Sequence, residues 1–324
     1  MKRILVTGAA GFVGRHALAA LSAAVGPNDQ IIGIGRHNIG PMLNGAIFRQ
    51  IDLLDAIALS NFFCEYRPTD VLHLAAIASV QQSVNAPIDT WRVNLQGLLN
   101  LAESAAQYAA GSNFFFVSSG EVYGYSFLAS HPLSEDVEPK PLGAYARSKW
   151  FGELILRDVL PRAEIKLVIL RPFNHIGPGQ DERFVVPSFS SQIARIEAGC
   201  VPPILEVGNL MAKRDFLPIG DVVRAYVALI ANAQSIKTGT VYNIASGHPR
   251  SIADILTDLR RQSMVPFDIR IVDERMRPAE IAVAAGDSGR IMAAIDWAPT
   301  EDWDTAISDI LAEARAKVRS ELHI

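Results

Sequence analysis

The apolar run RILVT at 3–7 ends in three glycines spaced by two residues, Gly8, Gly11 and Gly14 in VTGAAGFVG. This feature constrains the fold more than any other in the chain. Glycine lets a backbone turn tightly and approach a ligand closely, and a helix N-terminus favours negative charge. A strand, this turn and a helix over about 12–24 make the first unit of a parallel sheet, with a dinucleotide pyrophosphate on the turn. A tight turn without ligand would use the same residue types. The position, at the first strand-to-helix turn, favours the ligand. Gly8, Gly11 and Gly14, with Phe12 and Val13 between them, are the first candidate cofactor-binding residues.

The rest of the chain repeats the alternation. Strand candidates lie at 30–35, 46–51, 70–75, 113–118 and 166–171, and helix candidates at 55–66, 87–109 and 145–160. The strand runs are almost wholly apolar, as parallel strands covered on both faces require. The pattern predicts a Rossmann-type, doubly wound parallel α/β sheet. After Arg171 the texture becomes rich in proline and glycine, RPFNHIGPGQDERFVVP, and then turns helical to about 198. A second strand-helix set follows, with helices near 220–232, 252–263 and 303–319. The expected organisation is a dinucleotide-binding domain over 1–172, rejoined by about 215–245. A smaller C-terminal α/β domain of 173–214 and 246–324 would hold the substrate.

Composition excludes several classes. The 324 residues are 49% hydrophobic and 20% charged, a globular balance. A net charge of −4 without a long basic run argues against nucleic acid as partner. No stretch of about 18 apolar residues suggests a membrane span, and the N-terminal apolar run is too short for a signal peptide. Two cysteines, Cys64 and Cys200, make no disulfide framework and have no metal-ligand spacing. A reducing, cytoplasmic setting and a site without metal are expected.

The second strand decides the cofactor. A carboxylate at its end would grip a free ribose 2′-hydroxyl. IIGIGRHN offers Arg36 instead, whose fork of donors suits a 2′-phosphate. NADP(H) is therefore expected, with NAD(H) still open through other contacts. Asp52 and Leu53, after the third strand, could hold the adenine amine and cover its ring; Asp52 could equally cap the next helix. Leu74, Ala75 and Ala76 end the fourth strand with residues small enough for a cofactor to lie against the backbone.

FFFVSSGEVYG runs a strand into Ser119 at the sheet edge where ligands bind, and YARSK places Tyr145 and Lys149 one helical turn apart. A serine hydroxyl holds a carbonyl oxygen, a phenol protonates it as hydride arrives, and an ammonium nearby lowers the phenol's pKa from ~10. A Tyr/Lys pair alone would be an ordinary solvated helix face. With the serine and the glycine turn it is a candidate catalytic set.

Together, GxxGxxG at 8–14, HLAA at 73–76, SSGEVYG at 118–124, YARSK at 145–149 and RPFNHIGPGQ at 171–180 resemble the extended short-chain dehydrogenase/reductases acting on nucleotide sugars, over nearly the whole chain. RDFL at 214–217, VYNIASG at 241–247 and RMRPAE at 275–280 tilt the likeness to the group that reduces GDP-4-keto-6-deoxy-D-mannose to GDP-D-rhamnose. The resemblance implies a catalytic Ser119, Tyr145 and Lys149, an Asn94 lining the cofactor site, an Asn174 on the sugar diphosphate, and a nucleotide clamp of Arg214, Arg277 and Glu280. His175 is expected to position its loop. Glu121 stands where the family's dehydratases keep an acid, and is compatible with either a catalytic or a structural role. A nucleotide-diphosphate sugar would be the substrate. A 4-epimerase or 4,6-dehydratase that retains its cofactor, and a non-catalytic nucleotide sensor, are the alternatives. Surplus apolar positions on the helices at 87–109 and 145–160 (Leu95, Leu98, Leu99, Leu101, Phe151, Leu154, Leu156), with the resemblance, predict a homodimer.

Overall fold

Seven parallel strands form the central sheet of the computed structural model, which describes residues 1–37, 45–276 and 281–322. β1 (Arg3–Thr7) leads through the glycine turn into α1 (Phe12–Ala24), then β2 (Gln30–Gly35), β3 (Ile47–Gln50), α2 (Ala56–Tyr66) and β4 (Asp70–His73). Asp55 caps α2 by accepting from the Ala58 N–H at 2.9 Å. Next come α3 (Val80–Asn85), α4 (Pro87–Trp91), a π turn over Arg92–Gln96, α5 (Gly97–Tyr108), β5 (Asn113–Val117), α6 (Gly143–Val159) and β6 (Lys166–Pro172).

The helix expected at 87–109 is thus interrupted. The π turn carries Asn94, whose side chain bonds the Ile77 N–H and C=O outside the helix. α3 lies outside the helices that the sequence suggests, because the six residues VQQSVN, with Val80 and Val84 alone apolar, are too few to establish a period; it starts on a Ser79 cap.

β7 (Asn174–Ile176), α7 (Val185–Glu197), β8 (Ile204–Val207), β9 (Lys213–Pro218), α8 (Ile219–Ala231), β10 (Thr240–Ile244), β11 (Pro249–Ser251), α9 (Ile252–Arg261), β12 (Asp268–Ile271), β13 (Val283–Ala284), α10 (Gly289–Ala294) and α11 (Trp303–Leu322) complete the chain. The central sheet runs β10-β6-β5-β4-β1-β2-β3, while β9 joins β7, β11 and β13 in a second sheet and β8 pairs β12.

The central strands are buried on both sides. Ile4, Val6, Leu21 and Leu72 pack with Val222 and Leu229 of α8 on one face. Leu5, Ile32, Phe63, Leu98 and Leu156 fill the other. Each fully buried side chain of this size contributes roughly 1.5–3 kcal/mol. A third apolar cluster joins α7, α9 and α11. Because α1 packs on one face and α5 on the other, the connections leaving adjacent β1 and β4 diverge and open a crevice at their carboxyl ends. Among the described residues no helix is long and apolar enough to cross a membrane.

Candidate active site

One wall of the crevice is the glycine turn. Gly8 has φ +69°, and a Cβ there would lie 2.8 Å from the Ala75 nitrogen. Only glycine lets the turns after β1 and β4 meet this closely. The Ala75 N–H donates to Thr7 Oγ1 at 3.2 Å, and the same oxygen lies 2.7 Å from His73 Nδ1. A Cβ on Gly14 would meet the Gly8 carbonyl oxygen at 2.2 Å, so α1 can leave the turn only from a glycine. Gly11 is different. It is exposed, its nearest obstacle to a Cβ is at 3.2 Å, and it caps α1 with no side chain on the free N–H groups and no acid in the first turn. Those donors fit a pyrophosphate. Phe12 and Val13, half-buried, pack on the core, and Phe12 stacks on His175 with ring centroids 6.0 Å apart.

Arg36 is exposed at the end of β2, the strand beside β1, and its carbonyl accepts from Gln50 Nε2 at 2.9 Å. Asp52 is exposed and accepts from the Leu54 N–H at 3.0 Å. It does not cap α2, which Asp55 does. Leu53 turns its side chain into the core against Gly97, and its carbonyl accepts from Asn100 Nδ2 at 2.9 Å. Leu74, Ala75 and Ala76 follow β4 half-buried along the crevice.

Asn94 sits in the π turn behind the loop that follows β4. It is 5% exposed and fully engaged: its Oδ1 accepts from the Ile77 N–H at 2.8 Å and its Nδ2 donates to Ser148 Oγ at 2.9 Å. Ser148 Oγ in turn donates to the Tyr145 carbonyl at 2.8 Å. Asn94 therefore ties the loop after β4 to the turn of α6 that carries Tyr145 and Lys149.

Ser119, Tyr145 and Lys149 come together at the carboxyl edge of β5. Ser119 is the hydrogen-bonding partner of the Tyr145 phenol, and its Oγ also accepts from the Glu121 N–H at 3.1 Å. Burial pushes Tyr145 up to about 12, against the Ser119 hydrogen bond and with the Glu121 charge. The expectation that Lys149 would hold the phenol low is corrected. Its ammonium turns to the Val117 carbonyl at 2.8 Å, over the Phe116 ring. Burial draws Lys149 down to about 7, partly offset by Glu153. The phenol thus carries its proton at neutral pH, the form a proton donor needs.

Across the crevice, Asn174 is exposed at the head of β7 and Arg214 is half-buried in β9. Glu121, in a 3₁₀ turn over Gly120–Tyr123, faces Arg214: burial pushes its carboxyl up and the Arg214 charge draws it down. Arg277 and Glu280 lie outside the described residues. His175 Nδ1 lies 3.0 Å from the Phe173 carbonyl, and burial draws the ring below its ordinary range.

Sequence reasoning missed the polar groups behind these side chains. Arg171 and Glu153 form a fully buried ion pair at 2.7 Å. Asp215, also fully buried, accepts from the N–H groups of Ser246, Gly247 and Gly286. A charged residue closing the apolar strand KLVILRP was the available signal, because a buried arginine requires an anion.

A model of the NAD dependent epimerase/dehydratase family matches residues 4–245. The chain is 33% identical to GDP-6-deoxy-D-mannose reductase from Pseudomonas aeruginosa over 320 residues, 99% of each chain. Its fold superposes on RMD from Pseudomonas aeruginosa complexed with NADPH with a TM-score of 0.85 at 32% identity, covering 98% of this chain and 100% of the other. UDP-glucose 4-epimerase from Thermotoga maritima, solved with UDP-glucose, gives 0.83 at 26% identity over 98% and 99%.

Proposed function

The chain belongs to the NAD dependent epimerase/dehydratase family, and from that premise we propose that it reduces the 4-keto group of a 4-keto-6-deoxy nucleotide sugar with NADPH, the best-fitting reaction being GDP-4-keto-6-deoxy-D-mannose to GDP-D-rhamnose. The observation that carries the reading is a Tyr145 phenol that bonds Ser119 and stays protonated, at the sheet edge beside the glycine turn. Full-length similarity to a GDP-6-deoxy-D-mannose reductase supports the sugar and base.

Bound NADPH would supply the hydride to C4. The chain does the rest. Gly8, Gly11 and the α1 N-terminus hold the pyrophosphate, and Arg36 the 2′-phosphate. Ser119 fixes the keto oxygen and Tyr145 hands it a proton, while Lys149 keeps a positive charge near the nicotinamide ribose. Arg214 and Asn174 take the sugar diphosphate. Glu121, facing Arg214, is in this reading a hydrogen-bonding group for the sugar. We assign cofactor binding to 1–172 with about 215–245, and substrate binding to 173–214 and 246–324. The working form is a homodimer, in the cytoplasm, where the exposed Cys64 and Cys200 stay reduced.

Similarity to UDP-glucose 4-epimerase supports a second reading, an enzyme that returns the hydride to its own sugar. The two readings separate when GDP-4-keto-6-deoxy-D-mannose, GDP-mannose and UDP-glucose are each supplied with NADPH or NADH. The keto sugar alone should consume NADPH, and Tyr145→Phe should lose roughly 10²–10⁴-fold in turnover with NADPH affinity retained. Glu121→Gln should cost about 1.5–3 kcal/mol rather than abolish turnover. Interconversion of UDP-glucose without net cofactor use, or consumption of GDP-mannose without a partner enzyme, would overturn the reductase.

A further inference from the structure

A buried ammonium sheds its proton unless an anion holds it. Lys149 is 4% exposed; its ammonium bonds the Val117 carbonyl and lies over the Phe116 ring, neither of them an anion. One turn along α6 stands Glu153, fully buried. Its Oε1 accepts from Ser118 Oγ at 2.5 Å and from Arg171 Nε at 3.0 Å, and its Oε2 from Arg171 Nη2 at 2.7 Å. Arg171 Nη1 donates to the Tyr123 hydroxyl at 3.0 Å, which donates to Asn243 Oδ1 at 2.8 Å. One carboxylate therefore joins the helix of Tyr145 and Lys149 to the residue preceding Ser119 and to the end of β6.

We propose that Glu153 is a positioning residue of the reduction: its bonds to Ser118 and Arg171 seat the Ser119 loop against α6, and its carboxylate, one helical turn from Lys149, favours the ammonium form. This rests on the reading of Tyr145 and Lys149 given above. The groups around Lys149 leave Glu153 as its anion. On β4, His73 is neutral, held down to about 3 by burial and by Lys149 itself. On α6, Tyr145 is a protonated phenol. On β6, Arg171 is a cation and opposes the charge of Lys149. Glu121, in the turn after β5, acts on Tyr145 and Arg214.

An ion pair that serves only folding predicts a different result from one that also sets the lysine's charge. The measurement is the titration of Lys149 in protein carrying ¹³C at the lysine Cε, assigned with Lys149→Met, in free enzyme without substrate. Glu153→Gln keeps the shape of the carboxyl and loses its charge. It should move the Lys149 midpoint down by about one pH unit or more, a tenfold smaller protonated share. Glu153→Asp should restore most of it. The double variant Glu153→Met with Arg171→Met removes the pair together, which buried pairs commonly tolerate; because the opposing Arg171 charge goes with the carboxylate, its Lys149 midpoint should fall below that of the unaltered enzyme but less far than in Glu153→Gln. In turnover, Glu153→Gln should lose more at pH 8 than at pH 6, with KM for the nucleotide sugar little changed. A Lys149 midpoint unmoved in both Glu153→Gln and the double variant overturns the proposal. A failed reductase reading would show instead as no turnover by the unaltered enzyme, with the NMR titration still readable.

Discussion

At the scale of residues, Ser119, Tyr145 and Lys149 meet at the carboxyl edge of β5, where the Tyr145 phenol pairs with Ser119 and the Lys149 ammonium with the Val117 carbonyl. Tyr145, Lys149 and Ser119 were found because a phenol, an ammonium and a hydroxyl at these spacings reach one point above a parallel sheet. Their electrostatics were not legible. Local spacing suggests that Lys149 acts on Tyr145, yet burial dominates both groups, raising the phenol and lowering the amine. Burial is a property of what packs from elsewhere in the chain. Asn94 makes the same point, since its partners Ile77 and Ser148 lie 17 and 54 residues away. Arg36 carries a prediction at this scale. If its guanidinium grips a 2′-phosphate, Arg36→Ala forfeits a charged hydrogen bond worth about 1.5–3 kcal/mol, roughly ten- to a hundred-fold in Kd. NADPH affinity should fall by that factor and NADH affinity barely change, as read by fluorescence titration. Equal losses for both would remove Arg36 from the site.

At the scale of elements, the glycine turn divides into two kinds of constraint. Gly14 is required by the fold, because a methyl there strikes the Gly8 carbonyl at 2.2 Å. Gly11 is less confined, since a Cβ there would press the Gly8 carbonyl oxygen at 3.2 Å and need it to shift only by a few tenths of an ångström, and its main constraint would come from the ligand. Gly14→Ala should therefore lower stability by about 1–3 kcal/mol, read as a drop in melting temperature with and without cofactor. Gly11→Ala should leave the melting temperature of the free protein near its original value and lose NADPH affinity. Undiminished NADPH binding by Gly11→Ala would mean that the pyrophosphate does not rest there. The interrupted helix at 87–108 was beyond sequence reasoning for a related reason. Its π turn exists to serve a bond made outside the helix, and periodicity reports only the helix itself.

At the scale of the whole molecule, the apolar surplus on α5 and α6 separates into two uses. Leu98, Leu101 and Leu156 are fully buried in the core. Leu99, Phe151 and Leu154 remain exposed, beside Ile88 at 76% exposure and a Trp91 whose ring packs 5.7 Å from Phe151. This face is where the proposed dimer would form, and burying it against a second copy would complete a helix bundle. Light scattering at micromolar concentration should give twice the chain mass, and Leu154→Glu should shift it to the monomer while leaving the circular dichroism unchanged. A monomeric unaltered protein would refute the dimer. The sequence by itself determined the parallel sheet, the glycine turn and the order in which Ser119, Tyr145 and Lys149 enter the site. Each of these depends on periodicity or on spacing within one strand, turn or helix. Only the tertiary structure decided which charges stand together. The Glu153–Arg171 pair, the donors gathered on Asp215, and the burial that sets the protonation of Tyr145 and Lys149 all arise from side chains far apart in sequence, brought by the packing of α6 and β9 into surroundings where an unpaired charge is too costly to keep.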